Sequence, residues 1–225
     1  MEKLIYPGSK NGNGICSWLI NNIPPHERYF ELYAGSAALY YAKKGCNFNL
    51  LTDVNQKIIN YHSGRNLNQK ANIIKTDALS FIDGFVFTEA DFIYLDPPYP
   101  KSARRSGRTY YENEMLNDDE HEQLLKKITS ITAMVMISTR QNDLYDQMLH
   151  NWRKEIFQTA DRAGVVYEVI YMNYPVPEVL HQYDYVGRNF TDRQRIKRKI
   201  TSLVNKIKAL PPLERSALLD GIKKL

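Results

Sequence analysis

Residues 91–99 read Asp-Phe-Ile-Tyr-Leu-Asp-Pro-Pro-Tyr. A short apolar, aromatic-rich run that stops at an acid and two prolines predicts a buried strand delivering Asp96 to the rim of a sheet. Neither proline can donate to a β-ladder, so strand pairing ends there. With φ fixed at Pro97 and Pro98, and the residues before them pushed towards extended geometry, the turn is stiff. It presents a carboxylate, the Pro97 carbonyl and the Tyr99 ring together.

The stretches around this strand predict an α/β fold. Residues 28–42, Arg-Tyr-Phe-Glu-Leu-Tyr-Ala-Gly-Ser-Ala-Ala-Leu-Tyr-Tyr-Ala, pass from a β-rich run through a small-residue turn at 34–37 into an Ala-rich helical pattern. A strand at 47–52 ends at Asp53, placed to accept from ribose hydroxyls, and one at 72–75 ends at Asp77. Asp77 reads equally well as an acceptor for an adenine amino group and as a helix cap. The glycine fingerprint of a dinucleotide site is absent, which favours a ligand with a sugar and no diphosphate. Strands alternating with helices imply a mostly parallel sheet whose ligands bind beyond the carboxyl ends of the strands, where Asp53, Asp77 and Asp96 fall. A helix over 118–128, a strand over 132–137 and a short helix over 143–149 follow. The runs 152–158 and 165–172, separated by Asp161-Arg162-Ala163-Gly164, predict an antiparallel hairpin at one edge of the sheet.

At the front, residues 5–14 form a glycine-rich loop ahead of a helix of roughly three turns ending near Asn22. Lys10 could meet a carboxylate or phosphate there, although the spacing is not that of a Walker loop. Beyond the Pro-Pro turn, Lys101, Arg104, Arg105, Arg108, Tyr110 and Tyr111 lie in a polar segment that reads either as a nucleic-acid contact or lid, or as a solvated loop. The chain changes character near Asn173, so the expected organisation is a catalytic domain over 1–173 and a basic helical extension over 174–225. Arg188 and Asn189 precede a helix over 192–210 whose seam is Ile196, Ile200, Leu203, Ile207 and Leu210. That seam would be covered by packing on the main domain or by self-association into a homodimer. Arg193, Arg195, Lys197, Arg198 and Lys199 crowd its N-terminal half, where the helix dipole disfavours cations and a DNA backbone would compensate.

The 225 residues carry a net charge of +5, which favours a nucleic acid as partner over a membrane. No apolar run is long enough to span a bilayer and no signal-peptide core opens the chain, so a soluble, intracellular protein is expected. Cys16 and Cys46 are too few and too isolated for a disulfide framework or a zinc site; they are expected to be buried thiols, and no metal is expected.

The turn at 96–99 suits one chemistry in particular, methylation of an exocyclic amino group of a nucleobase. That nitrogen is a poor nucleophile until acceptors hold its hydrogens in a geometry that favours a tetrahedral centre, and the Asp96 carboxylate and Pro97 carbonyl are such acceptors. Tyr99 can stack on a base that has left the duplex.

These pieces resemble the Dam-type DNA adenine methyltransferases that use S-adenosylmethionine. Over residues 5–173, Tyr6-Pro7-Gly8-Ser9-Lys10 is similar to the family's N-terminal motif. Glu31-Leu32-Tyr33-Ala34-Gly35-Ser36-Ala37-Ala38 is similar to its cofactor motif and Asp53-Val54-Asn55 to its Asp-x-Asn. Asp96-Pro97-Pro98-Tyr99 matches its catalytic motif. Leu32 and Ala37 depart from the family's Pro and second Gly, and the large insert usual between the third and fourth strands is missing. The resemblance implies a Rossmann-like class I methyltransferase fold. It implies a cofactor site around Tyr6, Lys10, Glu31, Tyr33, Gly35, Ser36, Ala37, Asp53, Asp77 and Asp96, with Asp96, Pro97 and Tyr99 acting on adenine N6 in duplex DNA. An adenine-N6 methyltransferase of RNA, a methyltransferase acting on cytosine N4, and a non-catalytic, cofactor-responsive DNA-binding protein are the alternatives. The compact size suggests the cytoplasm of a bacterium or of a virus-infected bacterial cell.

Overall fold

In the computed structural model, residue 10 and residues 14–65, 70–100, 117–161 and 164–224 are described, without the side chains of 159–161 and 166. Tyr6, Lys101, Arg104, Arg105, Arg108 and Tyr110 lie outside the described residues.

The strand that ends at Asp96 spans Asp91–Leu95, and all five of its residues are buried. Around it the elements run α1 (Ile15–Ile20), β1 (Arg28–Leu32), α2 (Ala38–Ala42), β2 (Phe48–Asp53), α3 (Gln56–Ser63), β3 (Asn72–Lys75), α4 (Ala78–Gly84) and β4 itself. Then come α5 (Asp118–Ser130), β5 (Met134–Arg140), α6 (Asp143–Met148), β6 (Arg153–Asp161), β7 (Gly164–Met172), α7 (Phe190–Lys208) and α8 (Pro212–Ile222). The seven strands form one sheet in the order β3-β2-β1-β4-β5-β7-β6. The first five are parallel, and β7 inserts antiparallel between β5 and β6. The chain leaves β1 in one direction through β2 and β3, then returns to β1's other side for β4 and β5. That reversal puts a crevice at the carboxyl ends of β1 and β4, where α/β sheets take ligands.

A central parallel strand must be apolar on both faces because helices cover each side. On one side the core is built from Phe30, Leu50, Ile93, Leu124, Leu125, Ile128 and Val135. Burying each of the α5 leucines fully contributes about 1.5–3 kcal/mol, and both are fully buried. Asn117 caps α5 by accepting from Glu120 N, and Asp118, Asp119 and Glu120 in the first turn complement the dipole. At the other end of the central strands, Arg28 and Asp91 start β1 and β4 side by side. Their pairing runs Nε to Oδ1 at 2.5 Å and Nη2 to Oδ2 at 2.6 Å.

Several expectations are corrected. α1 has six residues rather than three turns, because Gly14 begins it in a left-handed conformation (φ 78°) and Pro24-Pro25 follow closely. β5 continues to Arg140, paired with β7. Both cysteines are half-buried rather than buried; Cys46 donates to Phe48 O at 3.1 Å. Only α4 links β3 to β4, as the missing insert implies.

The chain divides into two compact units, residues 1–182 and 183–225. Residues 174–182, which the sequence groups with the extension, hydrogen-bond to the first unit. Tyr174 OH donates to Asn22 O, His181 N donates to Ile23 O, and Gln182 Oε1 accepts from Lys44 N. In the second unit α7 begins two residues earlier than expected, because Asn189 caps it through a bond from Asp192 N. Asp192 then stands in the first turn, accepting from Arg188 N and Arg195. The cations there have an intrachain anion, so the dipole alone does not demand an external one. No described residue of α7 or α8 is buried, and Ile200 and Leu203 of the seam are about half exposed.

Gly187 makes the sharp approach to α7 possible. Its φ is 133°, and a Cβ there would lie 2.7 Å from Arg193 N. Gly187→Ala is therefore expected to lower the opening free energy of the first turn of α7 by about 1–3 kcal/mol. The effect would be read as faster amide exchange at Asp192 and Arg193, and unchanged exchange would refute it.

Candidate active site

The carboxyl ends of β1, β2 and β4 are level, with Leu32 opposite both Thr52 and Leu95. Each strand therefore releases its next residues onto the same rim. From β4 comes Asp96, followed by buried Pro97 and half-buried Tyr99. From β1 comes the turn 33–37, in which Tyr33 (φ 64°), Gly35 (φ 48°) and Ala37 (φ 49°) are all left-handed. Two non-glycine residues in that region store strain, the kind of local cost that marks ligand-holding turns.

The strained turn is clamped from both sides. Gly35 N donates to Asp53 Oδ2 at 3.0 Å, while Asp53 Oδ1 accepts from Asn55 N at 2.8 Å. Burial raises Asp53 above the usual carboxylate range, partly offset by these backbone donors. Gly35 O lies 2.8 Å from His62 Nε2, and His62 Nδ1 lies 2.7 Å from Tyr41 OH. Burial lowers the His62 pKa, so the neutral ring donates from Nε2 to the carbonyl and accepts from the phenol. Ser36 stands half-buried in the same turn, ahead of the start of α2.

Glu31 lies beneath the turn. Only 3% exposed, it accepts Tyr29 OH at 2.7 Å and Tyr40 N at 3.0 Å on Oε2. Burial pushes it up to about 7, against the pull of those two donors. Asp77 is exposed at the head of α4 and caps it through Ser80 N. Burial opposes its ionisation, but the Ser80 bonds and the neighbouring backbone donors together hold it below the usual range. The cap role is therefore real, and the rim position leaves the carboxylate beside the same crevice.

Lys10 crosses to Asp96. Its ammonium reaches both carboxylate oxygens at 2.8 Å and Tyr99 OH at 2.9 Å, and is 3.9 Å from Glu168 Oε2. Tyr99 OH in turn donates to Glu168, 2.8 Å from each oxygen. The Arg140 guanidinium lies 5.5 Å from the centre of the Tyr99 ring. Burial would lower the Lys10 pKa, but Asp96 and Glu168 outweigh it and hold the ammonium well above its ordinary value. Burial pushes Asp96 up to about 6; Lys10 opposes this and Glu168 adds to it.

Asp96, Tyr99 and Lys10 are thus brought together, and Tyr33, Gly35, Ser36, Ala37 and Asp53 form a second group on the adjoining strands. Arg193, Arg195, Lys197, Arg198 and Lys199 belong to α7, after Arg188 and the capping Asn189 in the second unit. Three residues that the structure brings to these groups escape the sequence reading: His62, Arg140 and Glu168. Glu168 left one signal, an acid alone in the apolar run Val-Val-Tyr-Glu-Val-Ile-Tyr.

The strand order and the antiparallel β7 define a Rossmann-like, class I methyltransferase fold. The model for D12 class N6 adenine-specific DNA methyltransferases matches residues 63–166, just under half of the chain, in agreement with the resemblance to the Dam-type enzymes. No curated protein matches the chain significantly. Among solved structures, M. capricolum TrmK in complex with S-adenosyl-homocysteine is similar at 12% identity and TM-score 0.47, covering 95% of this chain and 97% of that one. Precorrin-6y C5,15-methyltransferase from Geobacter metallireducens is similar at 10% identity and TM-score 0.44, covering 74% and 92%. A SAM-dependent methyltransferase from Agrobacterium tumefaciens is similar at 17% identity and TM-score 0.45, covering 70% and 58%. Among the described residues no helix is long and apolar enough to cross a membrane, and no cluster of His, Cys, Asp or Glu could hold a metal ion.

Proposed function

We propose that the protein methylates the N6 amino group of an adenine flipped out of duplex DNA, with S-adenosylmethionine as donor. The observation that carries this reading is the convergence of Asp96, Tyr99 and Lys10 at the carboxyl end of β4, beside the turn that Asp53 clamps. The cofactor supplies an electrophilic methyl group on a sulfonium. The site fits it: the left-handed turn lets ligand atoms approach the backbone. The Asp53 carboxylate would accept from ribose hydroxyls in addition to its backbone donors, and Asp77 would accept from the adenine amino group.

The rest is done by this chain. The Asp96 carboxylate and the Pro97 carbonyl accept the two hydrogens of N6, which localises its lone pair and aims it in line with the methyl group. The Tyr99 ring stacks on the extruded base and offsets part of the few kcal/mol of unstacking. The phosphate backbone falls to the second unit. Residues 183–225 carry eleven Lys and Arg against four Asp and Glu, whereas residues 1–182 carry nineteen against twenty-one. The basic excess of the whole chain therefore resides in the extension, and Arg193, Lys197, Arg198 and Lys199 would contact phosphates with Arg188 and Arg195. On the sequence reading, the segment with Lys101, Arg104, Arg105, Arg108 and Tyr110 is a further candidate for DNA contact.

Incubation with labelled S-adenosylmethionine and unmethylated duplex DNA, followed by digestion to nucleosides, tests the reading: N6-methyldeoxyadenosine is expected. Methylation of RNA alone would overturn the DNA assignment, and binding of cofactor and DNA without product would overturn the enzyme. Since the ionised Asp96 is the stronger acceptor and burial pushes it up to about 6 in the free protein, kcat/KM should fall below that pH by about tenfold per unit and be flat above it. A rate independent of pH between 5 and 8 would contradict the assigned acceptor.

A further inference from the structure

We propose that Glu168 is a positioning residue that takes over the Lys10 ammonium when Asp96 turns to the substrate amine, an inference that rests on the methyltransferase reading above. The Lys10 ammonium donates to both Asp96 oxygens and to Tyr99 OH. The amine to be methylated needs those same Asp96 oxygens, so it competes with the Lys10 ammonium for the carboxylate when a base arrives. The Lys10 side chain that carries the ammonium is only 5% exposed. It cannot turn to water, and a buried charge left without a counter-ion is strongly disfavoured.

Glu168 is the group placed to receive it. Its carboxylate is 10% exposed and 3.9 Å from Lys10 Nζ, one small side-chain rotation from a direct bond. It is already fixed by Tyr99 OH, which donates to it while accepting from Lys10. The phenol therefore bridges the two carboxylates through Lys10, and the aromatic ring that meets the base is held by the same acid. Glu168 itself stands on β7, opposite Arg140 of β5 in the ladder, so a rigid part of the sheet sets its position.

Asp96 faces Lys10 from the N-terminal segment, Tyr94 on its own strand and Glu31 on β1. Tyr145 on α6, Tyr99 beyond the turn and Glu168 on β7 complete its ionisable surroundings, with Arg140 acting on Tyr99. Among them Glu168 raises the Asp96 pKa. Removing its charge should therefore make Asp96 ionise at lower pH, and should also bind Lys10 to Asp96 more tightly because no second anion competes.

The test is Glu168→Gln in the full chain, compared with the wild type by kcat, KM, cofactor affinity and pH profile. The glutamine oxygen can still accept from Tyr99, so a purely structural hydrogen bond would be preserved. The expected result is a kcat/KM lower by about tenfold or more, cofactor affinity within about twofold, and an acid limb displaced to lower pH. Flipping, read from 2-aminopurine fluorescence at the target position, should weaken in parallel. Unchanged kinetics, or a uniform loss with the acid limb in place, would overturn the proposal. If far-UV circular dichroism shows that Glu168→Gln does not fold, Glu168→Asp takes its place: charge kept at a longer reach predicts a smaller loss, and full activity would overturn the assignment. Absence of methyl transfer by the wild type is the separate failure, that of the proposed function.

Discussion

Asp96→Ala is expected to reduce methyl transfer by at least 10²–10³-fold, roughly the cost of deleting one preorganised group that acts mainly in the transition state. Cofactor affinity should change little, since Asp53 and the 33–37 turn are held by Gly35, Asn55 and His62 rather than by Asp96. Asp96→Asn is the sharper variant. It keeps the shape but presents an N–H₂ group where the incoming amine also offers hydrogens, and it removes the charge that faces Lys10. A comparable loss in both variants would identify acceptor strength as the decisive property. Single-turnover kinetics with cofactor bound in excess would separate the chemical step from binding. Turnover within tenfold of wild type in Asp96→Ala would eliminate this residue from the reaction.

The second large effect concerns stability. Asp91 is completely buried at the start of β4 and takes two guanidinium bonds from Arg28, together with Thr88 N at 2.6 Å. One carboxylate thus ties the starts of the two central strands and closes the turn before β4. Asp91→Ala deletes all three bonds and leaves Arg28 without its partner at a site 32% open to solvent. Breaking a buried pair costs about 3–5 kcal/mol, and water reaching Arg28 places this one near the lower end. Against a total of about 5–15 kcal/mol, that is a large fraction, and denaturant unfolding would measure it. Asp91→Asn keeps an acceptor for Thr88 N or Arg28 and should lose less. A change under about 1 kcal/mol in Asp91→Ala would show that the pair is not structural.

The elements that position the site were legible because their signals are local. An apolar run stopped by Asp96-Pro97-Pro98 has to be a strand end, and the small residues 34–37 announce a turn whether or not glycine fills every place. Ala37 at φ 49° is where this local logic strains: the departure from the family's glycine was visible, but its backbone cost was not. Asp77 carried both of its meanings in the sequence, and the structure displays the cap. What was not legible depends on pairing across long separations. His62 reaches Gly35 only because α3 packs against β2 and β3. Glu168 reaches Tyr99 only because β7 inserts beside β5, and no spacing rule in the hairpin predicts that insertion. The length of α1 and the start of α7 turned on caps, Gly14 and Asn189, that outrank the apolar periodicity at helix ends.

The insertion of β7 also sets an order of events in biosynthesis. β1 to β5 leave the ribosome before the hairpin does, so the outer edge of β5 waits without a neighbour while translation continues, an open template for pairing with another chain. Lys10 and Tyr99 are made early, whereas the acid that holds both arrives with β7. A nascent chain halted before the hairpin would therefore display the strand that ends at Asp96 without Glu168, in a form prone to aggregate rather than to act. Competence and protection of the sheet edge arrive together, with the same nine residues, Gly164–Met172.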